Sequence, residues 1–253
     1  MIEGRGLLNK LLSIKNTSES NREMLIVALD VFTFDEMKSI VESTKAEVTT
    51  YKIGLQLLTS EGPEVIRYLK SLGKTVFLDL KLHEISNSVA SAIKSAGKHS
   101  VDMITVHASG GAKMMAAAVE AASAFPNMKV LALTVVTGLS DQDLNEIGYN
   151  RSSEEQVLRL AKLAERSGCH GVIASPQETE ALRSALATYM LIVTPGIRPE
   201  GSEVQDQRRI GTPAHAIASG ASYIIVGRPV IQAENPEASA RDINNQIHRA
   251  KNA

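Results

Sequence analysis

Short apolar runs alternate with longer amphipathic segments along most of the chain. The runs contain many β-branched residues, which is typical of β-strands, whereas the longer segments repeat apolar residues at helical spacing. This pattern predicts eight strands, over residues 24–31, 48–54, 75–81, 103–107, 130–134, 171–174, 191–194 and 223–227. It predicts helices over residues 34–43, 64–72, 89–98, 112–124, 154–167, 176–187 and 236–249.

The predicted strands are apolar at consecutive positions, which indicates a parallel sheet that is buried under helices on both faces. Eight such units within residues 24–253 predict a single-domain α/β fold, the (β/α)₈ TIM barrel. A doubly wound open sheet is the alternative that the same pattern allows. Residues 1–23 carry one leucine patch and are otherwise mostly polar, and we interpret them as an N-terminal capping helix and arm.

The composition is that of a globular protein, with 253 residues, 43% hydrophobic residues and a net charge of −1. The near-neutral charge gives no general attraction to nucleic acid or to an anionic membrane, so neither partner is expected. No uncharged apolar run approaches the roughly 18 residues that span a bilayer, and we see no secretory signal, so we expect a cytoplasmic protein. The single cysteine, Cys169, excludes a cysteine-based zinc site, and the six histidines show no metal-binding spacing.

Charged residues lie where several predicted strands end. Asp30 ends the first strand and Lys52 lies in the second, while Asp79, Lys81 and Glu84 lie at or beyond the end of the third. In a (β/α)₈ barrel these ends meet at the active-site face. Asp79 and Lys81 are two positions apart, so both side chains are expected to face the barrel interior.

A structural ion pair would account for one carboxylate beside one ammonium group. It does not account well for five charged residues gathered on one rim of the barrel, which is more typical of a functional site. A lysine between carboxylates stays protonated, which makes it a poor nucleophile and a ready proton donor. A proton donor suits a reaction that creates a carbanion and must protonate it. The pattern therefore predicts Lys81 as a catalytic acid.

The loops after the seventh and eighth predicted strands carry the signals of a phosphate site. Gly227 and Arg228 follow the eighth strand, and Pro195, Gly196 and Arg198 follow the seventh. These loops are the usual phosphate-binding place of the barrel fold, because glycine allows close backbone approach and arginine offers a bidentate fork. The alternative is that both arginines are solvated surface residues.

Taken together, these residues resemble the orotidine 5′-phosphate decarboxylase family, from about Met24 to about Asp242. The segments that carry the resemblance are Ala28-Leu29-Asp30, Tyr51-Lys52-Ile53-Gly54, Phe77 to His83, Thr105 to Ala108, Val193 to Pro199 with Asp206-Gln207, and Val226 to Pro229. The resemblance implies a TIM barrel that converts orotidine 5′-phosphate (OMP) to uridine 5′-phosphate (UMP) in pyrimidine biosynthesis without a cofactor or a metal.

The resemblance also implies catalytic roles. Lys52 and Asp79 are similar to members of the charge network around the reacting carbon, and Lys81 is similar to the residue that donates the proton. The second carboxylate of the network, at Glu84 here, reaches into the neighbouring subunit's site in this family. The resemblance therefore implies a homodimer with shared active sites.

Substrate-binding roles follow in the same way. Asp30 resembles the acceptor for the ribose hydroxyls, and Thr137 resembles the residue that meets the pyrimidine ring. The matched phosphate-binding residues are Gln207, Gly227 and Arg228, with Arg198 beside them, and Ser88 and Pro195 complete the expected substrate-binding set.

The chain departs from the family pattern after Lys81. The family motif is Asp-x-Lys-x-x-Asp, but the last position is Glu84, and the family's Ile-Pro-Asn-Thr reads Ile85-Ser86-Asn87-Ser88. Glutamate keeps the charge but adds a methylene, and a displacement of about 1 Å can cost a factor of about 100 in rate. The lost proline frees the turn to adjust, and Ser88 keeps a hydroxyl, so we expect activity to survive.

Two other functions stay open at this point. A metal-dependent sugar-phosphate decarboxylase or aldolase shares the barrel and the Asp-x-Lys pair, but Lys52 stands where those enzymes place an acidic metal ligand. A catalytically inactive nucleotide-binding barrel is the second alternative, with Glu84 as the sign of lost activity. Residues 138–151 and 199–211 are long enough to act as lids over the site.

Overall fold

The fold is a closed barrel of eight parallel strands, in a computed structural model that describes residues 23–199 and 210–252. Each strand pairs with the next, and the last pairs with the first, which excludes the open sheet. The strands are β1 (Leu25–Ala28), β2 (Thr50–Gly54), β3 (Thr75–Leu82), β4 (Met103–His107), β5 (Lys129–Leu133), β6 (Gly171–Ile173), β7 (Leu191–Thr194) and β8 (Tyr223–Val226).

Helices connect the strands and surround the barrel. They are α1 (Phe34–Thr44), α2 (Leu55–Glu61), α3 (Glu64–Ser71), α4 (Ser86–Gly97), α5 (Gly111–Ala122), α6 (Asp141–Glu146), α7 (Ser153–Arg166), α8 (Thr179–Ala185), α9 (Pro213–Ala218), α10 (Arg228–Ile231) and α11 (Pro236–Lys251). Short 3₁₀ helices cover Ala108–Gly110 and Pro176–Glu178. No helix in these described ranges is both long and apolar enough to cross a membrane.

Apolar residues form two layers of core, because successive side chains of a strand point to opposite faces. One cluster fills the barrel interior and includes Ile26, Phe77 and Ile225, while the larger cluster lies between the strands and the helices. Cys169 is buried in the outer layer, and burial raises the pKa of its thiol to about 12. The thiol is therefore protonated and has no role as a nucleophile.

The predicted strands all exist, with differences at their ends. The bounds of β4 and β7 are those predicted, whereas the first strand ends at Ala28 instead of residue 31. The Leu29 N–H still donates to the Lys52 carbonyl at 3.0 Å, and the chain then leaves the ladder as the loop that carries Asp30. The charged residue therefore lies just beyond the strand, at the barrel rim.

The helices predicted from the sequence pattern do not include four short ones, α2, α6, α9 and α10, none longer than seven residues. Two turns or fewer give too few positions to show a period of 3.6 residues. The predicted helix over residues 176–187 is a 3₁₀ turn followed by α8. Residues 1–22 of the predicted N-terminal capping helix and arm lie outside the described residues.

Candidate active site

A cavity of about 220 Å³ opens at the carboxyl ends of the barrel strands. Its floor is apolar and includes Leu133, Ile173 and Ile225. Its charged side chains come from the ends of β1, β2 and β3 on one side and from the loops after β7 and β8 on the other. This is the face where barrel enzymes carry their active sites.

Four side chains in the cavity form a row of alternating charge. Lys52 Nζ lies 2.9 Å from Asp30 Oδ1 and 3.7 Å from Asp79 Oδ2, and Lys81 Nζ lies 2.8 Å from Asp79 Oδ2. The two central groups are nearly buried, because the side chain of Lys52 is 10% exposed and that of Asp79 is 13% exposed. Charges this deep are stable only when they are paired, so the row holds its members in fixed positions.

The outer members of the row face the cavity more openly. The side chain of Lys81 is 39% exposed and that of Asp30 is 50% exposed. Lys81 therefore presents an ammonium group to a bound molecule while Asp79 anchors it from behind. Both side chains line the cavity and contact each other, which confirms the prediction that Asp79 and Lys81 face the barrel interior.

The opposite side of the cavity carries the predicted phosphate-binding residues. Pro195, Gly196, Arg198, Gly227 and Arg228 all line it. Gly196 has a φ angle of 81°, a left-handed conformation that favours glycine, and Arg198, two residues on, also lines the cavity. The two arginines could therefore bind an anion on the side of the cavity opposite the row of Asp30, Lys52, Asp79 and Lys81.

Arg198 is buried instead of being a solvated surface arginine, since the residue is only 6% exposed. Its Nη1 donates to the carbonyl of Ile197 at 2.9 Å, and its backbone N–H donates to the carbonyl of Gly211 at 2.9 Å. A bridge between Ile197 and Gly211 joins the two ends of the loop after β7. The loop is therefore held closed at its base beside the cavity.

Residues 23–243 match the family model described as "Orotidine 5'-phosphate decarboxylase / HUMPS family". The chain belongs to this family. A protein named orotidine 5′-phosphate decarboxylase from Idiomarina loihiensis is 45% identical over 224 residues, covering 88% of this chain and 97% of its own. The protein of the same name from Moorella thermoacetica is 43% identical over 237 residues, covering 91% of this chain and 94% of its own.

A solved structure is similar over nearly the same length. The crystal structure of orotidine 5′-phosphate decarboxylase from Lactobacillus acidophilus matches with a TM-score of 0.80 and 36% identity, covering 89% of this chain and 99% of that chain. The orotidine 5′-phosphate decarboxylase family thus accounts for the whole barrel.

The departure from the family motif lies outside the cavity of the single chain. Glu84 and Ser88 are exposed at the start of α4, and neither lines the cavity. Hydrogen bonds from the Ser88 side chain and the Ile85 backbone N–H lower the pKa of Glu84. Glu84 is therefore a carboxylate at neutral pH, displayed at the surface close to the active-site face.

Two predicted substrate-binding residues remain, Thr137 and Gln207. Thr137 lines the cavity just beyond β5. Gln207 lies outside the described residues.

Two histidines, His83 and His107, stack on each other beside the end of β4, and His107 is close enough to Lys81 to feel its charge. His83 and His107 stack with ring centroids 5.3 Å apart, and the Ser109 backbone N–H donates to His107 Nδ1 at 3.3 Å. Burial, followed by repulsion from His83 and Lys81, lowers the pKa of His107. Within residues 23–199 and 210–252, no group of three or more His, Cys, Asp or Glu side chains is arranged to hold a metal ion.

The pattern of charged residues did not single out Thr105, although its segment carried part of the family resemblance. Thr105 Oγ1 donates to Asp79 Oδ1 at 2.9 Å and accepts from the Lys81 backbone N–H at 2.8 Å. A buried threonine in an apolar strand looks like an ordinary core residue in the sequence. Its contacts depend on how two strands pair, and no sequence signal shows that.

Proposed function

We propose that this protein decarboxylates OMP to UMP in the cavity described above, with Lys81 as the proton donor to C6. Family membership gives the overall reaction, which belongs to pyrimidine biosynthesis. The observation that carries the assignment of Lys81 is its ammonium group, which is anchored 2.8 Å from Asp79 and exposed to the cavity. The proposal needs no cofactor.

The proposed step is a protonation coupled to the loss of carbon dioxide. The bond from C6 to the carboxylate breaks, and its electron pair stays on C6 in the plane of the ring. The ammonium group of Lys81 stabilises this negative charge and transfers a proton to C6, and the neutral amine then regains a proton from solvent. Asp79 keeps the ammonium group directed at C6 and places negative charge beside the departing carboxylate.

The two sides of the cavity suit the two ends of a nucleotide. We place the phosphate at Gly227 and Arg228, with Arg198 and Gln207 beside them, and the ribose hydroxyls at Asp30. Arginine forks and backbone N–H groups bind phosphate dianions strongly. Pro195 and Thr137 would then border the sugar and the base. Phosphate binding far from the reacting carbon fixes the ring against the charge row.

We further propose a homodimer in which Glu84 and Ser88 of each subunit complete the partner's site. Both side chains are exposed beside the active-site face, and large apolar residues accompany them. Ile85 is 68% exposed and Phe32 is also 68% exposed, at the ends of the loops after β3 and β1. Exposed apolar residues that are surrounded by polar and charged residues are typical of a protein interface.

We assign a lid function to residues 138–151. Most of the second predicted lid, over residues 199–211, lies outside the described residues, because residues 200–209 are not described. The first segment contains α6, whose start is fixed by a capping box between Ser140 and Asp143. Lid closure would exclude water from the carbanion and would strengthen every charge interaction inside the cavity.

The test is the ultraviolet absorbance of OMP incubated with the protein and an excess of a metal chelator. A steady change to the UMP spectrum is the expected result, and it would show that Glu84 substitutes for the family's aspartate. An unchanged spectrum with tight UMP binding would identify an inactive nucleotide-binding barrel. An unchanged spectrum without binding would favour a sugar-phosphate substrate.

A further inference from the structure

We propose that Thr105 is a positioning residue that sets both the Asp79 carboxylate and the Lys81 backbone for proton transfer. The inference rests on the proposed function, because it concerns how the proton donor of that reaction is aimed.

The strands β3 and β4 lose their register at the charge row. Phe77 pairs with Met103 and Leu78 pairs with Ile104, but the next pair joins Leu82 to Val106. The three residues 79–81 therefore lie opposite the single residue Thr105. Bulges of this kind re-aim side chains and are common next to active sites.

The side chain of Thr105 bridges this gap in the ladder. Its hydroxyl accepts from the Lys81 backbone N–H at 2.8 Å and donates to Asp79 Oδ1 at 2.9 Å. Thr105 is fully buried, so water cannot replace either bond without opening the barrel. One hydroxyl thus ties together the two catalytic residues of the bulge.

The bond to Asp79 fixes the plane of its carboxylate. Asp79 Oδ2 contacts the ammonium groups of Lys81 and Lys52, and the hydroxyl of Thr105 holds Oδ1. With both oxygens engaged, the carboxylate cannot rotate, and the direction in which it holds the Lys81 ammonium group is set. Loss of the hydroxyl would leave a nearly buried oxygen without this donor.

The bond to Lys81 fixes an unusual backbone conformation. Lys81 has a φ angle of 51°, which residues other than glycine rarely adopt. A conformation of this kind persists where the surroundings hold it, and functional sites are where it is common. The Thr105 hydroxyl is the acceptor that holds the Lys81 N–H in this turn.

Thr134 is a matched control for a purely structural threonine. It is also fully buried, at the end of β5, and its hydroxyl donates to the Ile173 carbonyl at 2.9 Å. It therefore makes one buried hydrogen bond between strands but contacts no member of the charge row. Replacing it by valine removes a buried, hydrogen-bonded hydroxyl without touching the proton donor, although Thr134 loses one hydrogen bond where Thr105 loses two.

The experiment compares Thr105→Val, Thr105→Ser and Thr134→Val by steady-state kinetics on OMP and by thermal unfolding. We expect Thr105→Val to lower kcat by about 10-fold to 100-fold, because small misplacements of reacting groups cost up to about 100-fold. KM should stay within about threefold, since the phosphate and ribose contacts are unchanged. Thr105→Ser keeps the hydroxyl and should recover most of kcat, and Thr134→Val should match the unaltered protein.

Three outcomes would overturn the positioning role. They are a Thr105→Val protein with unaltered kcat, a Thr105→Ser protein as impaired as Thr105→Val, and a Thr134→Val protein with an equal fall in kcat. If Thr105→Val does not fold, Thr105→Ala is measured against Thr105→Ser with the same expectations. Absence of turnover in the unaltered protein would overturn the proposed function itself, whereas normal turnover in Thr105→Val would overturn only the inference about Thr105.

Discussion

Lys52 occupies the middle of the charge row and explains why the row is stable. Its ammonium group contacts Asp30 at 2.9 Å and Asp79 at 3.7 Å, although its side chain is nearly buried. An ammonium group leaves water only where carboxylates take the place of its solvent shell. Lys52 therefore shares the Asp79 carboxylate with Lys81, and Lys81 is the more exposed of the two lysines.

Replacing Lys81 should separate catalysis from binding. We expect Lys81→Ala to lower kcat by about 10³-fold, within the range that a general acid contributes. UMP affinity, measured by titration calorimetry, should change only slightly, because the phosphate-binding residues lie across the cavity. Lys45→Ala is the control, since Lys45 pairs with Glu42 at the surface. Substantial turnover by Lys81→Ala would assign the proton to another group.

Arg228 should contribute to catalysis from a distance. We expect Arg228→Ala to lower kcat/KM by about 10-fold to 100-fold, because a hydrogen bond between charged groups is worth about 1.5–3 kcal/mol. The charge row stays intact in this variant, so the loss would measure remote phosphate binding. Arg67→Ala removes an exposed arginine from the pair with Glu64 and should leave kcat/KM unchanged. Equal values for Arg228→Ala and the unaltered protein would exclude the phosphate role.

At the scale of secondary-structure elements, the strand ends carry chemistry because the barrel brings them to one face. The bulge in β3 shows that regular strand geometry is not enough. Strict alternation predicts that Asp79 and Lys81 face the interior, and the two side chains do meet there. The backbone of Lys81, however, is left-handed and not extended as in a regular strand. The contact was predictable from spacing, whereas the conformation that aims the ammonium group was not.

Histidines at two strands should make stability depend on pH. Burial is the main cause that lowers the pKa of His107, at the end of β4, and of His170, just before β6. In the unfolded chain each imidazole gains a proton near its ordinary pKa of about 6.5, while the folded protein keeps it neutral to lower pH. The unfolded state then binds more protons, so the free energy of unfolding falls as pH decreases through this window.

Urea unfolding at about pH 7.5 and about pH 5.5 tests this dependence. We expect a lower midpoint at the acidic pH, and a smaller decrease in His170→Asn, whose amide oxygen can still accept from the Val130 N–H as His170 Nδ1 does at 3.0 Å. His248→Asn alters an exposed histidine on α11 and serves as the control. A decrease in His170→Asn as large as in the unaltered protein would show that His170 does not contribute.

At the scale of the whole molecule, the proposed shared site can be tested by mixing two inactive variants. If Lys81 acts in its own subunit and Glu84 acts in the partner's site, a dimer of Lys81→Ala with Glu84→Ala has one intact site. Random exchange makes half of the dimers mixed, and half of the sites in a mixed dimer are intact, so about a quarter of full activity should return.

The measurement is turnover of OMP after equimolar mixing and subunit exchange. Lys81→Ala mixed with Asp79→Asn is the control, because both changes affect the same subunit's charge row and no intact site can form. Recovery in neither mixture would place Glu84 outside the partner's site. Sedimentation of the unaltered protein gives the oligomeric state independently.

The hydrophobic pattern by itself determined the number and order of the strands, and the strand-end rule then located Asp30, Lys52, Asp79, Lys81 and Arg228. These predictions succeeded because a strand that is buried on both faces is apolar at consecutive positions, and because a parallel barrel brings the carboxyl ends of all its strands to one side. Both signals are contained in short stretches of sequence, so they can be read without knowing which residues touch.

The tertiary structure alone decided which residues hold the charged groups in place. The burial of Arg198, the bulge opposite Thr105 and the exposure of Glu84 away from the cavity depend on the register of neighbouring strands and on how loops fold over them. Register is set by packing between segments that are far apart in the chain, so no local pattern records it. The sequence therefore determined which charged groups meet, and the tertiary structure determined how they are aimed.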